Sequence, residues 1–167
     1  MEHWELVARE CIRDRIARWN AHGDAGRSAE MVDVLAPDAE FEAPGSGLLR
    51  GRAAVLEFLT GVRDAREGPE RAESVDLSAG PYLPSGTPPS IRHLTSTTHI
   101  RFTSRSAARV RTYYMVLTSF GLDHWGRYLD DFTLADGTWP IARRVITTDG
   151  MAPGGWAAQM APPPPKP

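Results

Sequence analysis

The chain is 167 residues long, 41% apolar and 24% charged, with a formal net charge of −2. That is enough for one domain of about 130–150 residues with a tail, burying roughly two-thirds of its unfolded surface without staples. Such a composition excludes a fibrous or wholly disordered chain, and the near-neutral balance excludes a strongly basic nucleic-acid footprint.

Cysteine and lysine usage exclude more. Cys11 is the one cysteine, so an intrachain disulfide, a Cys-based zinc site and an iron–sulfur cluster are all ruled out. The one lysine, Lys166, stands in a C-terminal proline run, which excludes Schiff-base chemistry on an ordered, buried lysine. No stretch of 18 uninterrupted apolar residues occurs and the N-terminus is acidic, so neither a membrane span nor a signal peptide is expected. The expectation is a cytoplasmic protein with no membrane partner.

Trp4, Val7, Cys11, Ile12, Ile16 and Trp19 recur at helical spacing and predict a first helix over 4–22, stopped at Gly23. Ser28 opens a second helix over about 28–36, and Asp24 lies in the joint between the two. Asp38–Glu42 alternates acidic and apolar and ends at Pro44-Gly45, a strand and a turn. A third helix runs over about 52–66 with Val55, Phe58, Leu59 and Val62 on one side. Strands are predicted thereafter at Arg71–Leu77, Arg92–Thr103, Ala107–Ser119, Trp125–Leu134 and Trp139–Thr148, with Asp136-Gly137 as a tight hairpin. Helices followed by antiparallel strands mean an α+β domain, a sheet curling over helices. The Pro-rich segment 78–90 reads as a loop of the kind that forms lids or binding sites. The domain is placed at 1–149, and 150–167 reads as a Pro-rich tail.

Four stretches carry a family pattern: Ile16-Ala-Arg-Trp-Asn-Ala-His-Gly-Asp24; Val34-Leu-Ala-Pro-Asp-Ala-Glu-Phe41; Arg92-His-Leu94; and Gly126-Arg-Tyr-Leu-Asp130, continuing to Asp136-Gly-Thr-Trp139 and Arg144. In this order and spacing the chain resembles the SnoaL-like group of the nuclear-transport-factor-two-like superfamily, nearest the scytalone dehydratase and bile-acid dehydratase branch. The resemblance spans residues 4–149. It implies a cone-shaped barrel: a strongly bent, mostly antiparallel sheet packed on three N-terminal helices and enclosing a pocket. Fold alone does not choose among the dehydratases, isomerases, cyclases, epoxide hydrolases, dioxygenase small subunits and transport factors built on it.

The dehydratase-like members place an aspartate after the first helix and a histidine at the start of a sheet strand, and Asp24 and His93 match those positions. Imidazole titrates near neutrality and suits proton removal next to a carbonyl. A carboxylate on its other ring nitrogen fixes the tautomer and stabilises the imidazolium. The chain departs from the pattern at Trp19, where those dehydratases have a tyrosine, at Ala43, where ketosteroid isomerases have their base, and at Thr97, where relatives have an asparagine.

Asp24 sits where an acidic residue caps a helix. In an unbroken strand His93, Thr95, Thr97 and His99 share one face, so either that polar face lines the cavity, a bulge intervenes, or His93 faces solvent. His93 and His99 lack a zinc spacing and a third ligand, so no metal is expected, and no cofactor. Tyr114 and Tyr128 are expected to line the pocket with Trp19. Asp130 and Arg144 read either as a buried pair bracing the sheet or as a substrate site, Arg144 holding a carboxylate or enolate oxygen.

The expected function is cofactor-independent acid/base dehydration, isomerisation or cyclisation of a small, largely apolar oxygenated metabolite, with His93 as base then acid and Asp24 as its partner. The 78–90 loop would form the mouth. A non-catalytic binding or assembly module, or a dioxygenase small-subunit-like partner, is the alternative; within enzymes, an epoxide hydrolase would use Asp130 and Arg144. Family analogy implies a homodimer or other homo-oligomer, with a small-molecule substrate and no nucleic-acid partner.

Overall fold

A computed structural model describes residues 1–67, 91–118 and 121–160. Three helices come first in the chain, α1 (His3–Asp24), α2 (Ser28–Val32) and, after the hairpin of β1 (Leu35–Ala43) and β2 (Gly47–Arg50), α3 (Gly51–Glu67). The strands β3 (Ile91–Ser104), β4 (Ala107–Thr118), β5 (Gly121–Thr133) and β6 (Ile141–Met151) follow, and a short helix, α4 (Trp156–Met160), closes the described chain. The six strands form one sheet in the order β2-β1-β6-β5-β4-β3; the β1–β6 pair is parallel and the others antiparallel. The sheet curls over the helices without closing, since β2 and β3 remain its two edges. This is the α+β cone with three N-terminal helices that the sequence implied.

The differences from the sequence reading have local causes. Helix α1 runs past Gly23 because Gly26, not Gly23, takes the left-handed conformation that ends it (φ 69°), with Arg27 N–H donating to the His22 carbonyl at 2.9 Å. Helix α2 stops at Val32, four residues early, because Pro37 disfavours helical backbone before it and Leu35 already pairs with Ile141. Strand β2 was missed, being only four residues long and largely exposed. At 136–137 the expected tight hairpin is present, both residues having positive φ (48° and 72°) between bridged Ala135 and Thr138. The predicted strand 71–77 and loop 78–90 lie outside the described residues. Beyond 149, β6 continues to Met151 and α4 folds back onto β5.

Alternation along β4 and β5 gives the sheet two distinct faces. The inner face is built of cross-strand rows, read here from the base of the cone to its rim. Phe102, Ala108, Phe132 and Ile141 form the base. Ile100, Val110, Asp130 and Arg144 come next, with Phe41 joining from β1. Above them lie Thr98, Thr112, Tyr128 and Ile146, then Thr95, Tyr114, Gly126 and Thr148. His93, Val116, His124 and Met151 make the rim row. Helix α1 supplies Ala8, Ile12, Ile16 and Trp19 to the core, and α3 supplies Val55.

Gly126 is required by this packing. A Cβ there would overlap the Thr147 carbonyl of β6. Gly126→Ala must therefore push two paired strands apart, and is expected to destabilise the fold by about 1–3 kcal/mol, read as a lower midpoint in urea unfolding.

Candidate active site

Asp24 is the last residue of α1, and β3 begins three residues before Arg92-His93-Leu94 ends. The His93 backbone N–H is directed at both Asp24 carboxylate oxygens, each 3.1 Å away. The His93 Nδ1 lies 2.6 Å from Asp24 Oδ1. Asp24 is thus not a cap for the following helix: its carboxylate accepts twice from one residue 69 positions further along the chain. A carboxylate can only accept, so Nδ1 carries the proton of this contact, and in the neutral ring Nε2 is then the acceptor. The two side chains are 24% and 14% exposed, reachable from the rim but largely withdrawn from water.

A bulge sets the direction of His93. Thr95 pairs with Tyr114 and Thr98 with Thr112, so β3 carries one extra residue between them. The extra residue turns His93 and Thr95 to the same inner face as Thr98, Ile100 and Phe102. It places His99, which pairs with Arg111, on the outer, exposed face.

Deeper in the cone, Arg144 donates from Nε and Nη2 to the two oxygens of Asp130 at 2.8 and 2.7 Å. Both side chains are fully buried, at 0% exposure. The guanidinium is sandwiched between the Trp19 ring, 4.6 Å away, and the Tyr128 ring, 4.5 Å away. Burial pushes the Asp130 carboxyl above its ordinary range, and Arg144 opposes that shift. The fork leaves Arg144 Nη1 buried with no hydrogen-bond partner among the described residues. Trp19 itself is core, tilted on Phe41 at 5.8 Å.

The two tyrosines stack on each other at 4.7 Å, and their hydroxyl protons are engaged by the protein. Tyr128 donates to Asn20 Oδ1 at 3.0 Å, and Tyr114 to the Thr147 carbonyl at 3.2 Å. Burial raises both phenols above their ordinary range, and the charge of Asp24 is near enough to add to the rise at Tyr128. Both rings are buried on the inner face as neutral phenols. Asn20, the buried acceptor for Tyr128, is a contact that the sequence reading missed. It stands one helical turn before Asp24 and one after Ile16, so helical periodicity places it on the buried face of α1.

At the rim, Asp123 joins β5 to α4. Its Oδ2 accepts from Trp156 N–H at 2.5 Å, and its Oδ1 accepts from Ala157 N–H at 3.1 Å and faces His124 Nδ1 at 2.7 Å. Burial opposes the charge, but His124 and the two amides outweigh it and hold the carboxyl below its ordinary 3.8. A carboxyl depressed on folding stabilises fully above its unfolded pKa, and that contribution is lost as pH falls through the lower folded value. Amide exchange at Trp156 and Ala157 should therefore accelerate selectively below about pH 3.8, and Asp123→Asn should accelerate it already at neutral pH.

The outer face carries a groove of about 380 Å³ lined by Tyr113, Met115, Leu122, Trp125 and the ion pair of Arg127 and Asp149. Trp125 lies here because it pairs with Met115 on the exposed side. The groove is on the opposite side of the sheet from Asp24 and His93.

A model of the SnoaL-like domain matches residues 4–145. The chain belongs to the SnoaL-like family. No curated protein matches it in sequence. Among solved structures, this SnoaL-like chain is similar to a putative scytalone dehydratase from Novosphingobium aromaticivorans, with 22% identity over 91% of each chain and a TM-score of 0.68. It is also similar to hexachlorocyclohexane dehydrochlorinase LinA-type3 from Novosphingobium barchaimii, with 15% identity over 89% of this chain and 91% of that one, TM-score 0.68. ActVI-ORFA from Streptomyces coelicolor matches at 17% identity over 83% of this chain and 95% of that one, TM-score 0.63. At such identities these likenesses establish the cone fold.

Proposed function

We propose that this SnoaL-like protein is a cofactor-independent acid/base enzyme that dehydrates, isomerises or cyclises a small, largely apolar oxygenated metabolite, in the manner of secondary metabolism. The observation that carries this reading is the 2.6 Å contact between His93 Nδ1 and Asp24 Oδ1 on the inner face of the cone. In the dehydration form, His93 Nε2 takes the proton next to a carbonyl and Asp24 stabilises the imidazolium. The imidazolium returns that proton to the β-hydroxyl, the carbon–oxygen bond breaks, and water and the conjugated carbonyl compound leave. Isomerisation uses the same base and acid at two carbons. Trp19, Tyr114 and Tyr128 would be the apolar walls once the buried inner face opens to a substrate, and Arg144 Nη1, without a partner among the described residues, would then be a donor suited to an enolate oxygen. The neighbours named as a dehydratase and a dehydrochlorinase suit elimination chemistry.

A screen of β-hydroxy ketones on one- and two-ring frames tests this, reading loss of water by the rise of enone absorbance. Turnover by the wild type that disappears in His93→Ala supports the reading; equal turnover by both proteins would falsify it.

A second reading is favoured by the outer face, where Leu94, Met115 and Trp125 form one exposed cross-strand row. Contiguous exposed apolar groups of this kind mark an association surface. The corresponding assembly is a homodimer through that face, or a module seated on a larger partner chain. An epoxide-hydrolase role for Asp130 is less well served, because Arg144 already occupies both its oxygens.

A further inference from the structure

Among the described residues the two most exposed aromatic side chains are Tyr113 and Trp125, at 42% and 40%, and both line the outer groove. They are diagonal neighbours across β4 and β5, because Tyr113 stands two residues before Met115 and Met115 pairs with Trp125. Such diagonal positions lie about 7–8 Å apart. The Trp125 ring is laid across β6 at Gly150, where a Cβ would overlap it, so a strand glycine holds the ring as a platform. Met115 and Leu122 complete the apolar lining, and Arg127 and Asp149 supply a polar edge. Arg127 and Thr147 both donate to Asp149 Oδ1, and Oδ2 makes no hydrogen bond among the described residues.

Two spaced rings beside a carboxylate fit an extended proline segment that carries a cation. The chain has one such segment, Ala-Pro-Pro-Pro-Pro-Lys-Pro over 161–167, outside the described residues. A residue that precedes a proline is restricted to extended backbone, so this sequence has little conformational freedom to lose on docking. Polyproline II repeats every three residues, about 9 Å, which sets Pro162 and Pro165 on one side at nearly the spacing of the rings. The described chain also stops beside the groove. Helix α4 is held through its Trp156 and Ala157 amides by Asp123, the residue next to Leu122. From there residues 161–167 span about 22 Å as polyproline II, and Leu122 to Arg127 cover about 17 Å of β5.

We infer that residues 161–167 occupy the outer groove of their own molecule, with Pro162 and Pro165 against the Trp125 and Tyr113 rings and Lys166 donating to Asp149. Tethering holds the segment at an effective concentration of millimolar order, which closes a contact too weak to form between separate molecules. The inference does not depend on the chemistry at Asp24 and His93, which lie on the other side of the sheet. A second copy seated on this face would exclude the segment, so the two occupants are distinguishable.

A nitroxide attached at Pro167→Cys, in a Cys11→Ala background, locates the segment in the full chain. In ¹⁵N-labelled protein the Trp125 indole and Tyr113 amide signals are expected to lose the most intensity, and to regain it when the nitroxide is reduced. Pro162→Gly with Pro165→Gly should weaken the docking about tenfold and restore much of both signals. Lys166→Glu should restore less, since an exposed ion pair contributes little. Recovery in Lys166→Glu with none in the proline variant would mean that charge alone draws the segment in, and overturns the proline–ring contact. Mixing ¹⁵N-labelled protein without nitroxide and unlabelled protein with it tests the source of the segment. Loss of the Trp125 signal in that mixture overturns docking within one molecule in favour of a second copy. Losses greatest at His93 and the rim of the cone overturn the placement on the outer face, and no loss at any site overturns the docking altogether.

Discussion

His93→Ala is expected to lower the rate of the chemical step by about 10²–10⁴-fold, the range associated with a positioned general acid/base. The fold should survive the change, since His93 stands on an edge strand at the rim and is partly exposed. Asp24→Asn is expected to give a loss of similar order for a different reason. The amide still offers an oxygen to the His93 backbone N–H, but it brings no negative charge to the imidazolium and can present a donor to Nδ1, favouring the wrong tautomer. Because the two side chains act as one device, the double variant should be little worse than His93→Ala alone. Losses that multiply would mean that Asp24 and His93 act on the reaction independently. The comparison is made on kcat, where a residue acting in the chemical step registers directly.

Arg144→Met is expected to be the most destabilising single change, by about 3–5 kcal/mol, because it strands the Asp130 carboxylate in a fully buried site. Its loss also removes the cation between Trp19 and Tyr128. The damage should depend on pH in a definite direction. Burial already pushes Asp130 up, and without Arg144 nothing opposes that push. A carboxyl whose folded pKa lies above its unfolded one favours the folded state at low pH, and that advantage is lost as pH rises through the folded value. The variant should therefore lose more stability relative to wild type at about pH 8 than at about pH 5, measured by urea unfolding. The double change Asp130→Leu with Arg144→Met removes both charges and should recover much of the loss. A double variant no more stable than Arg144→Met alone would mean that the ring sandwich, and not the buried charge pair, dominates.

Much of this was legible in the sequence because it depends on order and periodicity. Helical spacing from Trp4 to Trp19 and alternation over 107–119 fixed the helix-then-sheet order. The positions of Asp24, His93, Asp130 and Arg144 in the family pattern brought together residues far apart in the chain. The hidden parts depend on registers that only tertiary pairing sets. The extra residue between Thr95 and Thr98 decides whether His93 faces the cone or the solvent, and Ser96-Thr97 has the same polar, β-branched character as its neighbours. Nor does the sequence reveal that the hydroxyls of Tyr114 and Tyr128 are engaged, since their acceptors, Thr147 and Asn20, are fixed by strand pairing and helix docking. Helix α1 ends at Asp24 and not at His22 because of a backbone conformation at Gly26 that Gly23 was equally able to adopt. Asn20 was accessible in principle: extending the Ile12–Ile16 stripe by one turn reaches it, and by two turns reaches Asp24.

The most direct test of the central claim, that Asp24 holds His93 with Nε2 free to act as a base, needs no substrate. Ring nitrogen shifts and one-bond couplings of His93 in ¹⁵N-labelled protein at neutral pH report which nitrogen carries the proton. The account predicts neutral His93 protonated at Nδ1, with the preference weakened or reversed in Asp24→Asn. A wild-type His93 protonated at Nε2, or divided between the two tautomers as in a free imidazole, would contradict it.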